Sequence, residues 1–345
     1  MSGAADFTHE SVLPGEVLEY LSPQKDKVYV DGTLGGAGHS SAIASTGARL
    51  IGIDRDPAAL AAAAARFVAA GITPSDDPHA QVRLIHGEFG DIRRLLADRG
   101  IQQVDGLLLD LGVSSPQLDH AERGFSFMKE GPLDMRMDPT SGPTALELIT
   151  DLEVEELTEV IRDLGEERHA KKIARLIKEA INADTIHTTL DLARVVSLGI
   201  PFHEQRKSKI HPATRTFQGL RIAVNRELDQ LERFLDAFPD LLVAGGRCVV
   251  ISFHSLEDRL VKNAFRDLTW TSSLPPRLAA EAGERAEAVA LLLTRKPVFG
   301  TDEEVARNPR SRSARLRACE RTAAPNFPAI KGAKPPTGRR FRDDD

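Results

Sequence analysis

A glycine-rich turn between a short apolar strand and a helix constrains this chain more than any other stretch. Residues 28–30 (Val-Tyr-Val) form the strand, Asp31 ends it, and residues 32–38 (Gly-Thr-Leu-Gly-Gly-Ala-Gly) follow. Glycines allow a sharp turn and a close approach to a ligand, and the helix beyond the turn offers free N–H groups. A second strand over residues 49–53 ends in Asp54, about 20 residues beyond the glycines, which is the usual distance to a ribose-binding acid. The stretch therefore predicts a loop that holds a nucleoside cofactor.

Strands and helices alternate along much of the remaining chain. Further strands are predicted at residues 82–86, 104–112, 245–253, 288–294 and 314–321, which gives seven. The fourth is almost entirely apolar, as parallel strands buried on both faces are. This alternation predicts an α/β, Rossmann-like fold with a mostly parallel sheet. Ligands of such sheets bind at the carboxyl ends of the strands, where Asp31, Asp54, Phe89 and Asp110 fall.

A helical pattern from residue 144 to residue 199 interrupts the alternation. It predicts a small all-helical domain inserted into the sheet domain. Beyond it, one long amphipathic helix is predicted over residues 218–238, because leucines and a valine recur there at helical spacing. The predicted division is a sheet domain over 1–113 and 213–322, a loop and helical substrate-side domain over 114–212, and a disordered tail over 323–345.

The composition is that of a soluble globular protein. Hydrophobic residues make up 41% of the 345 residues, and no run approaches about 18 apolar residues, so no membrane span is expected. The first residues have no basic and apolar leader, so no secretory signal is expected either. Cys248 and Cys319 lie in apolar strand-like runs, which favours buried thiols over metal ligands or a disulfide. We therefore expect a cytoplasmic protein with no metal and no membrane partner.

Basic residues gather in two stretches although the formal net charge is −6. The first contains Arg206, Lys207, Lys209, Arg215 and Arg221, and the second contains Arg307, Arg310, Arg312, Arg315 and Arg317. Either stretch alone is equally consistent with a solvated surface. Both together favour a local face that binds phosphates.

Two kinds of cofactor suit the glycine turn, and Asp31 favours one of them. A dinucleotide places its pyrophosphate at the helix N-terminus, and a carboxylate next to Gly32 would repel it. S-adenosylmethionine carries an ammonium and a sulfonium instead, which the same carboxylate attracts. Asp54 can accept hydrogen bonds from both ribose hydroxyls, and Phe89 can pack on adenine. The structural alternatives stay open here: a turn cap at Asp31, a helix cap at Asp54, a core ring at Phe89 and a loop carboxylate at Asp110.

Several long motifs, in order along the chain, resemble the bacterial 16S rRNA (cytosine(1402)-N(4))-methyltransferase family. The similarity extends from about His9 to Thr322. The motifs are DGT at 31–33 with GH at 38–39, DLGVSSPQLD at 110–119, ERGFSF at 122–127, GPLDMRMD at 131–138, HPATRTFQ at 211–218 and SFHSLEDR at 252–259. The resemblance implies a class I S-adenosylmethionine-dependent methyltransferase domain with seven strands and an inserted helical domain.

The resemblance also implies the cofactor contacts and the partner. The contacts that it adds to Asp31 are Ala37, Gly38, His39, Asp54, Phe89, Asp110 and Gln117. The implied substrate is the exocyclic N4 of a cytidine in the decoding region of 16S rRNA, within the small ribosomal subunit. Whether the protein forms a homodimer is left open. A dinucleotide-dependent oxidoreductase and a non-catalytic ribosome-assembly factor are the alternatives.

Transfer to an aromatic amine requires an acceptor for its proton and walls for the flipped base. Amino-methyltransferases often carry Asp/Asn-Pro-Pro-aromatic after strand four, whereas this chain has Asp-Leu-Gly-Val at 110–113. We predict Asp110 as the first candidate acceptor and His254 as the second. Phe125 and Phe127 are the predicted wall, and hinge packing is the alternative for both rings. The basic residues Arg206, Lys207, Lys209 and Arg215 are predicted to hold RNA phosphates.

Overall fold

One seven-stranded sheet forms the centre of the computed structural model, which describes residues 11–272, 274–282 and 287–326. Its strands are β1 (Val28–Asp31), β2 (Arg49–Asp54), β3 (Val82–His86), β4 (Val104–Asp110), β5 (Leu242–Ser252), β6 (Ala290–Leu292) and β7 (Arg315–Arg321). The order across the sheet is β3-β2-β1-β4-β5-β7-β6. Strands β1 to β5 run parallel, and β7 is antiparallel to both β5 and β6. The predicted seven-stranded, mostly parallel sheet is confirmed.

Helices cover the sheet and form the insertion. They are α1 (Pro14–Leu21), α2 (Gly38–Ser45), α3 (Pro57–Ala69), α4 (Ile92–Ala97), α5 (Ser115–Asp119), α6 (Ala145–Asp151), α7 (Val154–Glu159), α8 (Ala170–Asn182), α9 (Thr189–Gly199), α10 (Phe202–Lys207), α11 (Thr214–Asn225), α12 (Glu227–Leu241), α13 (Ser255–Thr269), α14 (Pro276–Glu281) and α15 (Asp302–Arg307). A π-helical turn, Val160–Leu164, continues α7.

Both faces of the sheet are buried, because neighbouring residues of a strand point to opposite sides and both are apolar. Val30 of β1 packs into one core with side chains of α4, α12 and α13. Its neighbour Tyr29 packs into the other core with side chains of α1, α2 and α3. The sheet is therefore the middle of three layers, and ligands can reach it only at its edges and strand ends.

The insertion has an apolar core of its own, which contains residues of α6, α7, α8 and α9. Phe217 and Leu220 of α11 belong to the same cluster, although they follow residue 212. The insertion is thus packed on the first helix after it. The division at 113/114 and 212/213 stays a prediction.

The single helix predicted over residues 218–238 is wrong. The chain forms α11 and α12, separated by Arg226, whose φ of 49° lies in the left-handed region. Asn225 holds this break, since its Oδ1 accepts from Met137 N at 2.7 Å and its Nδ2 donates to Met135 O at 2.7 Å. Apolar residues keep their helical spacing across the break. Leu220, however, packs into the core of the insertion, whereas Leu231 packs into the core on one face of the sheet.

The ends of the chain fall partly outside the described residues. At the N-terminus, residues 1–10 lie outside the described range, and α1 begins at Pro14. Of the predicted tail, 323–345, residues 327–345 lie outside that range, while Asn326 Nδ2 donates to Asp240 Oδ1 at 2.8 Å. The prediction of buried thiols is confirmed, because Cys248 and Cys319 are free and fully buried. Among the described residues, no helix is long and apolar enough to span a membrane.

Candidate active site

A cavity of about 270 Å³ opens at the carboxyl ends of β1, β2 and β4. The predicted cofactor contacts that line it are Asp31, Gly38, His39, Asp54, Phe89, Asp110 and Gln117. Ala37, the remaining predicted contact, is fully buried directly before Gly38 and does not line the cavity. Residues that sequence reasoning placed at separate strand ends are therefore brought together around one space.

The glycine turn forms the floor of the cavity. Gly35 and Ala37 have φ values of 46° and 56°, so the chain passes twice through the left-handed region before α2 begins at Gly38. Such a conformation is easy for glycine and unusual for alanine. The N–H of Gly35 donates to Asp54 Oδ2 at 2.8 Å, which fixes the turn against the end of β2.

Asp31 lies beneath the turn and is 2% exposed. Its Oδ2 accepts from Ser40 Oγ at 2.6 Å, and its Oδ1 accepts from Thr33 N at 3.1 Å. Burial raises the pKa of Asp31 despite these donors, because it disfavours the ionised form. A cationic ligand in the cavity would offset that cost. Ser40 and Thr33 were not among the predicted residues.

Asp54 and Asp56 have different tasks at the end of β2. Asp54 Oδ1 accepts from Asp56 N at 2.8 Å, and burial raises the pKa of Asp54 to about 6. The helix cap that was the alternative for Asp54 is made by Asp56 instead, whose Oδ1 accepts from Ala58 N at 3.0 Å. The two bonds that Asp54 accepts come from backbone N–H groups, and each of its oxygens keeps a lone pair for a ligand.

Asp56 also joins the β2 end to the loop before the insertion. Its Oδ2 accepts from Gln117 Nε2 at 3.1 Å and from Arg123 Nη1 at 2.8 Å. Gln117 lies in α5, where it completes a capping box with Ser114. The loop that begins after β4 is thereby held over the cavity. Asp56 and Arg123 were missed, and the ERGFSF motif was the available signal for Arg123.

His39 and Asp110 present two unsatisfied atoms to the cavity. His39 Nε2 and Asp110 Oδ2 lie 3.6 Å apart, beyond hydrogen-bond distance. His39 Nε2 and Asp110 Oδ1 are both buried without a partner among the described residues. Burial opposes protonation of His39, but the carboxylates of Asp110 and Asp31 outweigh it and raise the pKa of His39. An unpaired buried carboxylate oxygen requires a donor, which an ammonium or an exocyclic amine supplies. The site residues thus fit a ligand such as S-adenosylmethionine.

Phe89 packs between the cavity and the sheet core. It lies in a short 3₁₀ turn after β3, and its ring meets Phe234 edge-on with centroids 6.3 Å apart. The ring is partly buried against the core and also lines the cavity. The ligand-contact and core interpretations are therefore compatible.

A buried charged group borders the cavity where α11, α12 and α13 meet. Arg221 Nε and Nη2 donate to the two carboxylate oxygens of Glu227 at 2.8 and 2.9 Å. Glu257 Oε2 accepts from Phe253 N at 2.9 Å, and its Oε1 lies 3.1 Å from His254 Nε2. One side-chain oxygen or nitrogen atom from each of Glu227, His254 and Glu257 lies within 4.8 Å of the others, which is close enough for all three to bind one metal ion. Arg221 already supplies positive charge beside them.

His254, the second predicted acceptor, belongs to this charged group. Its Nδ1 caps α13 by accepting from Glu257 N at 3.5 Å, and its buried Nε2 faces Glu257 Oε1 at 3.1 Å. It does not line the cavity, whereas its neighbours Phe253 and Glu257 do. Burial disfavours ionised Glu257, but the contact with His254 and the charge of Arg221 outweigh this and lower the pKa of Glu257. Arg221, Glu227 and Glu257 also line the cavity and were not predicted as site residues, although Glu257 lies in the SFHSLEDR motif.

The predicted RNA residues do not line the cavity. Phe125 is 7% exposed in the helical core, and the Phe127 ring stacks on His211 with centroids 4.6 Å apart. Arg206, Lys207 and Lys209 are exposed at the end of α10 and just after it, and Arg215 lies 4.0 Å from Glu167. In the second basic stretch, Arg310 lines the cavity, and Arg317 is paired with Asp258 at 2.7 Å.

Comparison with known proteins decides the family. The profile of a family described as the MraW methylase family matches residues 6–322. The chain belongs to the MraW methylase family. Membership confirms the predicted enzyme class, a methyltransferase, and with it S-adenosylmethionine as the methyl donor. The alternative of a dinucleotide-dependent oxidoreductase is excluded.

Close relatives carry one shared name. Proteins named "Ribosomal RNA small subunit methyltransferase H" include one from Anaeromyxobacter sp. (strain K), 50% identical over 92% of this chain and 99% of the relative. The protein of that name from Trichlorobacter lovleyi is 51% identical over 92% of this chain and 99% of the relative. The one from Sorangium cellulosum is 52% identical over 91% of this chain and 90% of the relative. A solved rRNA methylase from Streptococcus thermophilus is 11% identical over 90% of this chain and 93% of that chain, with a TM-score of 0.37. The family assignment rests on the sequence similarity.

Proposed function

We propose that this methylase transfers the methyl group of S-adenosylmethionine to the exocyclic N4 of a cytidine in the 16S rRNA of the small ribosomal subunit. The observation that carries the proposal is the 50% identity, over 92% of the chain, to relatives named for methylation of small-subunit ribosomal RNA. The choice of N4 and of the decoding region rests on the resemblance of the motifs at 110–119, 122–127 and 252–259 to the 16S rRNA cytosine-N4-methyltransferase family.

The cofactor end of the cavity is built from Asp31, His39 and Asp54. The methyl donor supplies an electrophilic methyl group on a sulfonium. Asp31 offers negative charge to the cationic end, and the carboxylate of Asp54 offers acceptors to the ribose. Ser40 and Thr33 hold Asp31, and Gly35 holds Asp54, so neither carboxylate must reorganise when the ligand enters.

The acceptor end contains Asp110. Its Oδ1 is buried and unpartnered, and its side chain is 25% exposed, so one oxygen faces a desolvated space and the group can still be reached. The N4 amine of cytosine is a weak nucleophile because its lone pair is delocalised into the ring. Asp110 orients that amine through an N–H and stabilises the positive charge that develops as the nitrogen becomes tetrahedral.

The proton lost from the amine passes to the carboxylate of Asp110, the first candidate acceptor. His39 Nε2 lies 3.6 Å from Asp110 Oδ2 and has no hydrogen bond among the described residues. We assign to His39 the role of stabilising ionised Asp110 before transfer. His254 is the less direct candidate, because it acts on the cavity only through Glu257.

RNA is proposed to lie across the helical domain, residues 114–212. The exposed cations Arg206, Lys207 and Lys209 follow Phe202, which is 72% exposed and has the Arg206 guanidinium 5.9 Å from its ring centroid. Exposed cations and an exposed ring suit phosphates and an unstacked base. We propose the assembled small subunit as substrate and the cytoplasm as the compartment of the reaction, and we assign no oligomeric state.

The direct test uses small ribosomal subunits from a strain that lacks this gene. They are incubated with the purified protein and a donor labelled in its methyl group, and the modified nucleotide is mapped and identified as a nucleoside. We expect one labelled cytidine carrying the label on N4. Naked 16S rRNA is the comparison substrate, with weaker labelling expected. Absence of label, or label on another atom or base, would contradict the proposal.

A further inference from the structure

A second recess, of about 400 Å³, lies at the opposite end of the strands from the active site. Its walls are the first residues of β1 and β2, the residues around the start of β3 and the loop before β4. The side chains that line it include Arg49, Arg83, Gln102 and Gln103, and no carboxylate is among them. The recess therefore has cationic and amide walls with no internal counter-charge.

Arg83 is the anomalous residue of this recess. It is 7% exposed, and its Nε is buried without a partner. No hydrogen bond or ion pair of its guanidinium occurs within 11–272, 274–282 and 287–326. Arginine stays protonated in proteins, and a buried charge is strongly disfavoured unless it is paired. An anion that enters the recess would pair with the guanidinium of Arg83 and satisfy its Nε.

Arg49, on the neighbouring strand, supplies a second cation to the recess. Its Nη2 donates to the carbonyl of Pro78, while its Nε is buried without a partner. Arg49 begins β2, and Arg83 is paired in the parallel ladder with Ile51, two residues further along β2. The two guanidinium groups therefore enter one recess from adjacent strands.

We propose that this recess binds a small dianionic phosphate, either inorganic phosphate or the terminal phosphate of a monoester. Two cations with no carboxylate between them match a dianion, and guanidinium groups bind phosphate oxygens bidentately. An internal phosphodiester of RNA carries a single charge and leaves one cation unpaired. The amide of Gln102 is exposed at the entrance, and Val28, Leu50 and Ile101 form the apolar sides.

This site is separate from the methyl-transfer site. None of its lining residues lines the active-site cavity, and the two lie at opposite ends of β1 and β2. Phosphate binding here is therefore independent of the proposed reaction, and variants of Arg83 leave the cofactor contacts in place.

The test measures binding of inorganic phosphate to the full chain by calorimetry and by ³¹P NMR. The other probes are adenosine 5′-monophosphate and a short RNA without terminal phosphates. Variants Arg83→Met and Arg49→Met are compared with Arg175→Met, which removes one exposed cation of α8 and is the matched control. We expect saturable binding of phosphate and the monophosphate, weakened about 10-fold or more in both recess variants and unchanged in the control. Binding should also raise the free energy of unfolding of the wild type and of the control.

Several outcomes would overturn the proposal. One is the absence of saturable phosphate binding to the wild type, which would show that the recess holds only solvent. Another is equal affinity in Arg83→Met and Arg175→Met, which would mean adventitious binding elsewhere. Competition by the RNA without terminal phosphates, with none by free phosphate, would assign the recess to a nucleic acid. If Arg83→Met fails to fold, Arg83→Lys is tested instead, because lysine keeps the positive charge but cannot donate two parallel hydrogen bonds to a phosphate. Unchanged phosphate affinity in both Arg83→Lys and Arg49→Met would refute the site.

Discussion

Gly35 N and Asp54 Oδ2 are joined by a hydrogen bond of 2.8 Å, which links the glycine turn to the end of the neighbouring strand. The same carboxylate accepts a second backbone bond, from Asp56 N at 2.8 Å. Asp54 therefore organises the backbone that surrounds the ligand, and it also offers its remaining lone pairs to the ligand. Its protonation state must affect the shape of the turn and the affinity for the cofactor together.

Cofactor affinity should depend on pH through Asp54. Its pKa is raised by burial to about 6, so the carboxylate of the free protein takes up a proton as the pH falls through that value. A protonated carboxyl has fewer acceptor sites for the ribose, so the Kd for S-adenosylmethionine should be flat above pH 7 and rise by up to about 10-fold per pH unit below pH 6. Calorimetric titration from pH 5 to pH 8 measures this. Asp54→Asn should bind more weakly throughout and lack the inflection near pH 6, and an identical inflection in that variant would assign the titration to Asp31 or His39.

Asp110→Ala should lose methyl transfer much more than cofactor binding. Removing a preorganised acceptor costs about 10²–10³ in kcat in comparable sites. Single-turnover rates with small subunits measure transfer, and calorimetry measures cofactor affinity separately. Asp110→Asn is the matched control, because it keeps an acceptor oxygen and removes the charge, and it should retain more activity than Asp110→Ala. Unchanged rate and affinity in both variants would show that Asp110 has no part in the reaction.

Arg123→Met should destabilise the fold. Arg123 Nη1 pairs with Asp56 Oδ2 at 2.8 Å, and their side chains are 17% and 5% exposed. Loss of one member of a buried pair leaves an unpaired charge and costs about 3–5 kcal/mol in the free energy of unfolding. Urea denaturation measures the change. The double variant Asp56→Asn with Arg123→Met should be less destabilised than the sum of the single variants, and strict additivity would mean that the two side chains act independently.

Gly32→Ala and Gly36→Ala should differ although they share one turn. A Cβ at Gly32 would lie 2.6 Å from Leu109 Cδ2 and 3.1 Å from Phe89 Cβ, whereas a Cβ at Gly36 meets nothing within 4 Å. Overpacking costs about 1–3 kcal/mol, and an open site changes stability by about 0.5 kcal/mol or less. Both values are measured by urea denaturation without cofactor. Equal stabilities of the two variants would show that the strand ends adjust freely.

The basic segment should govern RNA affinity and its salt dependence. Reversal of Arg206, Lys207 and Lys209 to Glu removes three exposed cations, so RNA affinity should fall and the slope of log K against log salt should decrease in magnitude by up to about 3. Filter binding at several salt concentrations measures the slope, and cofactor affinity should not change. The control reverses three other exposed cations of the insertion, Lys171, Lys172 and Arg175. Equal effects of the two triple variants would mean that net charge, rather than this segment, determines RNA binding.

The α/β architecture and the cofactor edge could be predicted from local pattern. Apolar runs of strand length recur between helical periods, and the acids Asp31, Asp54 and Asp110 directly follow such runs. In a parallel sheet the carboxyl ends of the strands meet at one edge, so a pattern along the chain implies proximity in space. Phe89, shortly after the third strand, reaches the cavity for the same reason.

Other features depend on contacts between distant segments. The break at Arg226 is invisible to periodicity, because apolar spacing continues while Asn225 is held by the carbonyl of Met135 and the N–H of Met137. Asp56 is a helix cap in the sequence, and it becomes a junction only when Gln117 and Arg123 reach it across more than 60 residues.

The difference between the features that were predictable from local sequence and those that were not has a physical cause. Strand and helix periods, turn glycines and capping residues act within a few positions, so the order of the elements and the placement of the three acids are encoded locally. Burial of Arg221 against Glu227, and burial of Arg83 beside the second recess without a hydrogen bond among the described residues, arise only when helices and strands from distant parts of the chain pack together. Desolvation is a property of the packed molecule, and it determines which charged side chains are left to act on a ligand.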